Sequence, residues 1–384
     1  MTDSVPASLL RRFGWEGPAD RYVVWVVLFL SALGVVAIYS AITFLAETKS
    51  GGDTERFLVR HVARVGLAFA VMLIFSGIDY HKLARFSRLA LLFSLLLLVA
   101  VHMVGVASGG ATRWIQFGSF GFQPSDLARA ALILYVGVLL SKKQTYIKSF
   151  TRAFVPVFMW ILGTAVLIGT EDLSTALMVL ASAALMCFVA RASVLHLGGL
   201  GAAACALALL LLLASPGRAA RVESYLGVKI FPHTDSEEVL SAQDEGYQAR
   251  QARIAFAMGG WTGVGPGKSV QRDFLPAPYN DFIFAIVAEE YGLAGALALL
   301  AAFVALLFRG FLRIARHAPD PLGLFISVGF TSTVVLYAFV HAAVACGLLP
   351  VTGLPMPLVS YGGTSMAATG MMLGILLNVS RQCR

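Results

Sequence analysis

Apolar runs long enough to cross a bilayer alternate with short polar segments along almost the whole chain. A spanning helix needs about 20 predominantly apolar residues. Ten runs approach that length: 22–45, 60–77, 87–107, 126–141, 153–170, 172–191, 194–214, 282–308, 322–346 and 362–379. Only Glu171-Asp172 separates the fifth from the sixth, which predicts a tight helical hairpin with Asp172 capping its second helix. The pattern predicts an all-α polytopic membrane protein with ten transmembrane helices. One polar interval, 215–281, is far longer than the rest and reads as a large extracytoplasmic loop between helices seven and eight. The expected division is a cytoplasmic segment 1–21, helices one to seven over 22–214, the loop 215–281, helices eight to ten over 282–379, and a cytoplasmic tail 380–384. Within the loop, Tyr247 to Met258 reads as an amphipathic helix, and Gly259 to Gly267 as a glycine-rich turn.

Composition agrees with a lipid environment. The chain is 58% hydrophobic and 13% charged, about half the charged share of an ordinary soluble domain. Its net charge of +8 does not indicate nucleic acid, because the basic residues sit in short clusters between apolar runs. Such clusters are topology signals and contacts to anionic headgroups. Those at Arg11-Arg12, Lys82–Arg88, Lys142–Arg152, Arg309–Arg316 and Arg381–Arg384 fall on alternate segments, placing both termini in the cytoplasm. The first apolar run is too long for a signal-peptide core, and no small-residue cleavage site follows it. Cys187, Cys205, Cys346 and Cys383 show no CxxC or metal-type spacing, so neither a disulfide nor a zinc site is predicted.

Chemistry concentrates in a few places. Asn280-Asp281-Phe282 sets one carboxylate at the mouth of a strongly apolar helix, and an ionisable group at a membrane boundary is a functional candidate by default. Lys268 and Arg272 precede it, and cations beside one carboxylate suit a diphosphate-bearing substrate as well as a solvated loop touching headgroups. Before helix four, Arg113-Trp114 reads either as an interfacial anchor or as a guanidinium for phosphate beside an indole face for sugar or lipid. Pro124 marks a helix start that Ser125 or Asp126 can cap. Asp126 and Arg129 stand i,i+3, as a buried salt bridge or as the polar wall of a groove. Glu289 and Glu290, deep in helix eight, must face protein or a water-filled cavity, with a structural network the favoured role. The turn at 259–267 lacks the spacing of a nucleotide-binding loop. His341 reads as a core residue. The segment 347–365 is apolar yet full of helix breakers, and such backbone survives at membrane depth only if buried in protein or lining a cavity.

Seven segments, in order, resemble the SEDS (shape, elongation, division and sporulation) family of the RodA and FtsW type: GATRWIQFG (110–118), FQPSDLARAAL (122–132), EDLSTAL (171–177), GYQARQ (246–251), GGWTGVGPGKSVQ (259–271), FLPAPYNDFIFAIVAEEYG (274–292) and GLLPVTGLPMPLVSYGGTS (347–365). The forms PAPYND, EEYG and YGGTS look more like the FtsW-like division branch. The resemblance implies a ten-helix peptidoglycan glycosyltransferase of the bacterial cytoplasmic (inner) membrane. It would polymerise lipid II, a disaccharide-pentapeptide on undecaprenyl diphosphate, beside a class B penicillin-binding protein. By carry-over Asp281 matches the family's essential aspartate. Arg113, Trp114, Gln123, Asp126, Arg129, Asp172, Gln251, Lys268 and Gln271 match other recurring polar positions. This chain departs from the family at Asp126 and Arg129, usually Glu and Lys, at Ala277 and Tyr279, usually Glu and His, and at His341, usually Asn.

The expected chemistry is a single displacement with Asp281 as general base. Arg113, Lys268 and Arg272 would be diphosphate contacts, with Trp114, Gln123 and Gln271 lining the substrate. Asp126, Arg129, Asp172, Gln251 and Glu289 form a structural polar network. No cofactor is required, though a divalent cation (Mg or Mn) suits a diphosphate leaving group. Two rivals stand beside this reading. A lipid II flippase would gather its polar groups near the midplane, and a non-catalytic scaffold would tolerate the loss of Asp281.

Overall fold

The computed structural model describes residues 17–49, 54–104, 106–108, 111–117, 120–228, 237–275 and 277–383. Each of the ten apolar runs is a helix. They are α1 (Arg21–Lys49), α2 (Thr54–Gly77), α3 (Tyr80–Val104), α4 (Pro124–Lys143), α5 (Val155–Glu171), α6 (Leu173–Val189), α7 (Val194–Leu213), and, after the long loop with its helices α8 (Pro216–Leu226) and α9 (Glu237–Gly259), α10 (Ile283–Phe308), α11 (Pro321–Ala345) and α12 (Gly363–Gln382). Among the described residues nine helices are long and apolar enough to cross a membrane, and α6, at 17 residues, is shorter. At 1.5 Å per residue α6 rises about 26 Å, slightly less than a bilayer's apolar thickness.

Burial sorts the helices. In α4, α11 and α12, 83%, 78% and 78% of the most apolar stretch is buried, which makes them the centre; α2 and α7, at 17% each, lie on the rim. The rim exposes Leu67, Leu73 and Ile74 on α2, Leu89, Phe93 and Leu96 on α3, and Leu209, Leu210 and Leu213 on α7. Apolar faces of that extent on a folded chain mark a lipid contact. Close helix approach rests on small residues. A Cβ at Gly370 would lie 2.3 Å from the Ala68 carbonyl oxygen, and one at Gly374 would lie 2.4 Å from that of Met72, so α12 meets α2 backbone to backbone.

Three features are not in the apolar pattern. A three-stranded antiparallel sheet, β1 (Val106–Ser108), β2 (Ala111–Phe117) and β3 (Phe120–Phe122), precedes α4. Helix α8 begins on Pro216 and ends at Gly227, whose φ of +70° provides the left-handed stop. Finally, α10 is broken at Gly292 (φ +66°, ψ −168°), where the glycine-rich turn packs into the helix. Leu293 and Ala294 donate their N–H groups to Gly260 O and Trp261 O, at 2.9 and 3.2 Å. Any side chain at Gly292 would collide with Gly263 N, 2.4 Å from the Cβ position.

The expected cap of α4 is corrected. Its N-cap is Gln123, with no side-chain hydrogen bond, because Pro124 occupies the first turn and pushes Ser125 and Asp126 inside the helix. At the hairpin, Asp172 is the N-cap of α6, accepting from Thr175 N and Thr175 Oγ1, both at 3.1 Å. The opposite end of the bundle is tied by polar contacts. Arg309 Nε lies 2.7 Å from Asp20, Tyr80 N–H donates to Asn378 Oδ1 at 3.0 Å, and Asp320 caps α11.

Candidate active site

Asp281 lies in a turn two residues before α10. Phe282, Ile283 and Phe284 are each no more than 1% exposed, so the start of that helix is sunk into the core while Asp281 is half-buried. The turn is fixed from outside. Ser360 Oγ donates to Asn280 O at 2.7 Å, and Tyr361 N–H donates to Tyr279 O at 3.0 Å. The Tyr279 and Tyr361 rings meet edge to face, 5.5 Å between centroids. Behind Tyr361 stand the Arg64 guanidinium, 4.0 Å from its centroid, and the buried His61 ring, stacked at 5.8 Å. The carboxylate therefore sits on a turn clamped by the last loop and by α2, which is what a positioned base requires. Burial, with the neighbouring Tyr361 and Asp281, pushes the Tyr279 hydroxyl above its ordinary pKa, so it stays protonated near neutrality.

The clamping loop follows the rule for irregular backbone at depth. Leu354, Met356, Leu358 and Val359 are buried, Met356 N–H donates to Ser360 Oγ at 2.8 Å, and Leu358 takes a φ of +63°. A non-glycine residue held there costs about 1–2 kcal/mol. The loop lies directly on α1 at Gly34, where a Cβ would come within 2.9 Å of Leu358 O.

A second polar group fills the centre. Arg129, 2% exposed, donates from Nη2 to Asp126 Oδ1 at 3.2 Å and places its guanidinium 4.1 Å from the Tyr337 ring centroid. Thr364 Oγ1 donates to Asp126 Oδ2 at 2.9 Å, binding the start of α4 to the start of α12. A buried ion pair needs such extra partners to offset its desolvation. His341, also buried, sets Nδ1 2.8 Å from Leu354 O, joining α11 to the same last loop.

The glutamates of α10 organise the glycine-rich turn. Glu289 accepts from Ser269 Oγ and from the N–H groups of Val270 and Gln271, at 2.9 and 3.3 Å. Glu290 accepts from Ser40 Oγ and from Ser269 N at 3.4 Å. Their own carbonyls take the N–H groups of Val264 and Gly265. Both side chains thus face protein, as their depth requires.

The remaining candidates separate. Arg272 turns its guanidinium to Ser40 O and Gly267 O, at 3.0 and 3.1 Å, and pairs with Asp273 at 3.4 Å, so it braces its loop against α1. Gln271 is buried, with Nε2 3.5 Å from Met258 Sδ. Lys268 is exposed, and Gln123 and Gln251 are half-buried. Trp114, half-buried on β2, lays its indole on Gly121, where a Cβ would be 3.1 Å from Cε3. The Arg113 side chain lies outside the described residues. Arg64, His61 and Tyr361 were not singled out from the sequence. The available signal was a histidine and an arginine one turn apart inside an apolar run, a costly placement that asks for a reason.

The fold and these two groups define a polytopic membrane protein with a clamped carboxylate at one end of its bundle and a buried ion pair at its centre. A family model of FtsW, RodA and SpoVE, described as cell cycle protein, matches residues 21–384, and the chain belongs to that family. It is 36% identical over 369 residues to stage V sporulation protein E of Bacillus subtilis, covering 95% of this chain and 98% of that protein. It is equally 36% identical over 370 residues to the probable peptidoglycan glycosyltransferase FtsW of Geobacter metallireducens, covering 95% of each. Among solved structures, a chain from "Structural coordination of polymerization and crosslinking by a peptidoglycan synthase complex" is similar at TM-score 0.72 and 28% identity, over 94% of this chain and 98% of that one. The rod shape determining protein RodA of Thermus thermophilus is similar at 0.67 and 26%, over 94% and 97%.

Proposed function

We propose that the chain is a peptidoglycan glycosyltransferase that joins lipid II units into glycan strands, with Asp281 as general base. The observation that carries this reading is the clamped turn: one half-buried carboxylate on a turn that Ser360 and Tyr361 hold, through the Asn280 and Tyr279 carbonyls, against the buried start of α10. Asp281 takes the proton from an acceptor-sugar hydroxyl as its oxygen attacks the donor's anomeric carbon. The bond from that carbon to the diphosphate breaks, undecaprenyl diphosphate leaves with the electron pair, and the configuration inverts. Asp126 is not a second acid in this scheme, since Arg129 and Thr364 engage both its oxygens. Lys268 and Arg113 are the candidate diphosphate contacts, and Arg272 acts through the loop it braces. Trp114, Gln123 and Gln271 remain candidate substrate contacts.

Among the described residues no group of three or more His, Cys, Asp or Glu is arranged to hold a metal. A magnesium or manganese ion would fit instead as one carried by the diphosphate, sharing at most the Asp281 carboxylate. Such an ion would supply charge neutralisation for the leaving group.

The proposed setting is a bacterial cytoplasmic membrane, with α6 as a tenth span, both termini in the cytoplasm and 215–281 outside. A class B penicillin-binding protein is the proposed partner, in keeping with the coordinated polymerisation and crosslinking named for the similar complex. Proteoliposomes with fluorescent lipid II confined to one leaflet separate this reading from a flippase. Glycan strands without exchange between leaflets are expected. Exchange without strands would overturn it.

A further inference from the structure

Helices α8 and α9 and the strap Gly347–Val351 border an open cavity, here called a chamber, of about 650 Å³. Arg221, Arg250 and Arg253 line it, together with Tyr225 and Tyr247, and among the described residues none that lines it is acidic. Across Arg221 and the strap residues 349–351 it adjoins a second chamber of about 300 Å³, walled largely by apolar side chains such as Leu177, Met178, Leu212 and Val340. Asp172 also borders the second chamber, but its carboxylate is occupied in capping α6. The two cavities share that wall, with the cations on one side of it and the largely apolar lining on the other.

The walls are fixed in advance. Arg218 donates to Gly169 O and Thr170 O, at 2.9 and 2.6 Å, tying α8 to the end of α5. Tyr225 Oη donates to Leu348 O at 2.7 Å, tying α8 to the strap. Arg253 lies on Gly347, whose φ is +75° and whose Cβ position is 3.0 Å from Arg253 Nε. Arg250 and Arg253 stand one turn apart on α9, are exposed, and make no ion pair among the described residues. Guanidinium groups converging from two helices are the usual means of gripping phosphate oxygens in more than one direction. Neither chamber is lined by any residue of the 277–283 turn.

We propose that this space binds a lipid diphosphate: Arg221, Arg250 and Arg253 hold the diphosphate, and the apolar chamber holds the first part of the hydrocarbon chain. The proposal rests on the glycosyltransferase reading for its biological ligand, since joining two lipid-linked sugars requires two diphosphates to be held at once. The strap runs on to Ser360 and Tyr361, which clamp the Asp281 turn, so the second site and the reactive turn share one loop.

The test is equilibrium binding of undecaprenyl diphosphate to the full chain in phosphatidylcholine nanodiscs, read without turnover. Carrying the Asp281→Asn substitution in every variant makes the result independent of whether the chain polymerises anything. The double variant Arg250→Ala/Arg253→Ala is expected to weaken binding about 10- to 100-fold, from the loss of charged hydrogen bonds. Arg250→Lys/Arg253→Lys should recover most of it. Leu212→Trp, which fills the apolar chamber, should weaken undecaprenyl diphosphate while leaving inorganic diphosphate unaffected. Unchanged affinity in the double alanine variant would overturn the proposal. So would equal competition by phosphatidylglycerol, which would make the chamber a general anionic-lipid contact.

Discussion

Purified Asp126→Ala protein is expected to lose about 3–5 kcal/mol of stability, because the change strands a buried cation. Arg129 is 2% exposed, and its guanidinium meets Asp126 on one side and the Tyr337 ring on the other. Removing the carboxylate takes away the cation's ion-pair partner on its own helix, and Thr364 loses its acceptor on α4. Thermal unfolding in detergent should show a fall of many degrees in Tm. The pair replacement Asp126→Leu/Arg129→Met should recover much of the loss, since it removes both charges together. If the single variant melted like the wild type, Asp126 would neither be balancing the buried cation nor holding α4 to α12 through Thr364.

Asp281→Asn has the largest expected effect on activity. The carboxamide matches the carboxylate in shape, so the turn and its clamps should persist, and substrate affinity should change little. Turnover should fall about 10²- to 10⁴-fold, the usual contribution of a positioned general base. Asp281→Glu should also be impaired, because an extra methylene displaces the base on a turn that Ser360 and Tyr361 hold in place. A variant with lowered affinity and undiminished turnover would make Asp281 a binding group instead of the base.

Much of the architecture was legible because lipid imposes a length on every apolar run. The limits of the helices were less so. Helices α2 and α3 begin six and seven residues before their apolar runs, at Thr54 and Tyr80. The added turns carry Arg56 or His81 and Lys82, and backbone hydrogen bonding continues through polar residues that hydropathy discounts. The sheet before α4 had a signal of its own: Gly109-Gly110 between β-forming residues is a hairpin sequence. It was masked by the helical rhythm on either side. Helix α8 was also announced, by Pro216 at its start and Gly227 past its end.

The site was legible in its chemistry and not in its assembly. Asp281 stood out as a charge at the head of an apolar helix, and the Asp126–Arg129 spacing implied a pair. Ser360 on Asn280 and Thr364 on Asp126 join residues 80 and 238 positions apart, and no local pattern encodes such contacts. Arg272 shows the complementary limit. Its charge suggested a substrate contact, while the hydroxyl and carbonyl oxygens that hold it come from α1 and from Gly267.

The central claim is that this chain forms glycosidic bonds between lipid-linked disaccharides. The most direct measurement is a gel of glycan strands made from purified lipid II by the purified wild-type chain together with its cognate class B transpeptidase. A ladder that grows with time, and that the transpeptidase alone does not make, is the predicted result. Unconsumed lipid II over folded, partner-bound protein would contradict the account and leave Asp281 without a reaction to catalyse.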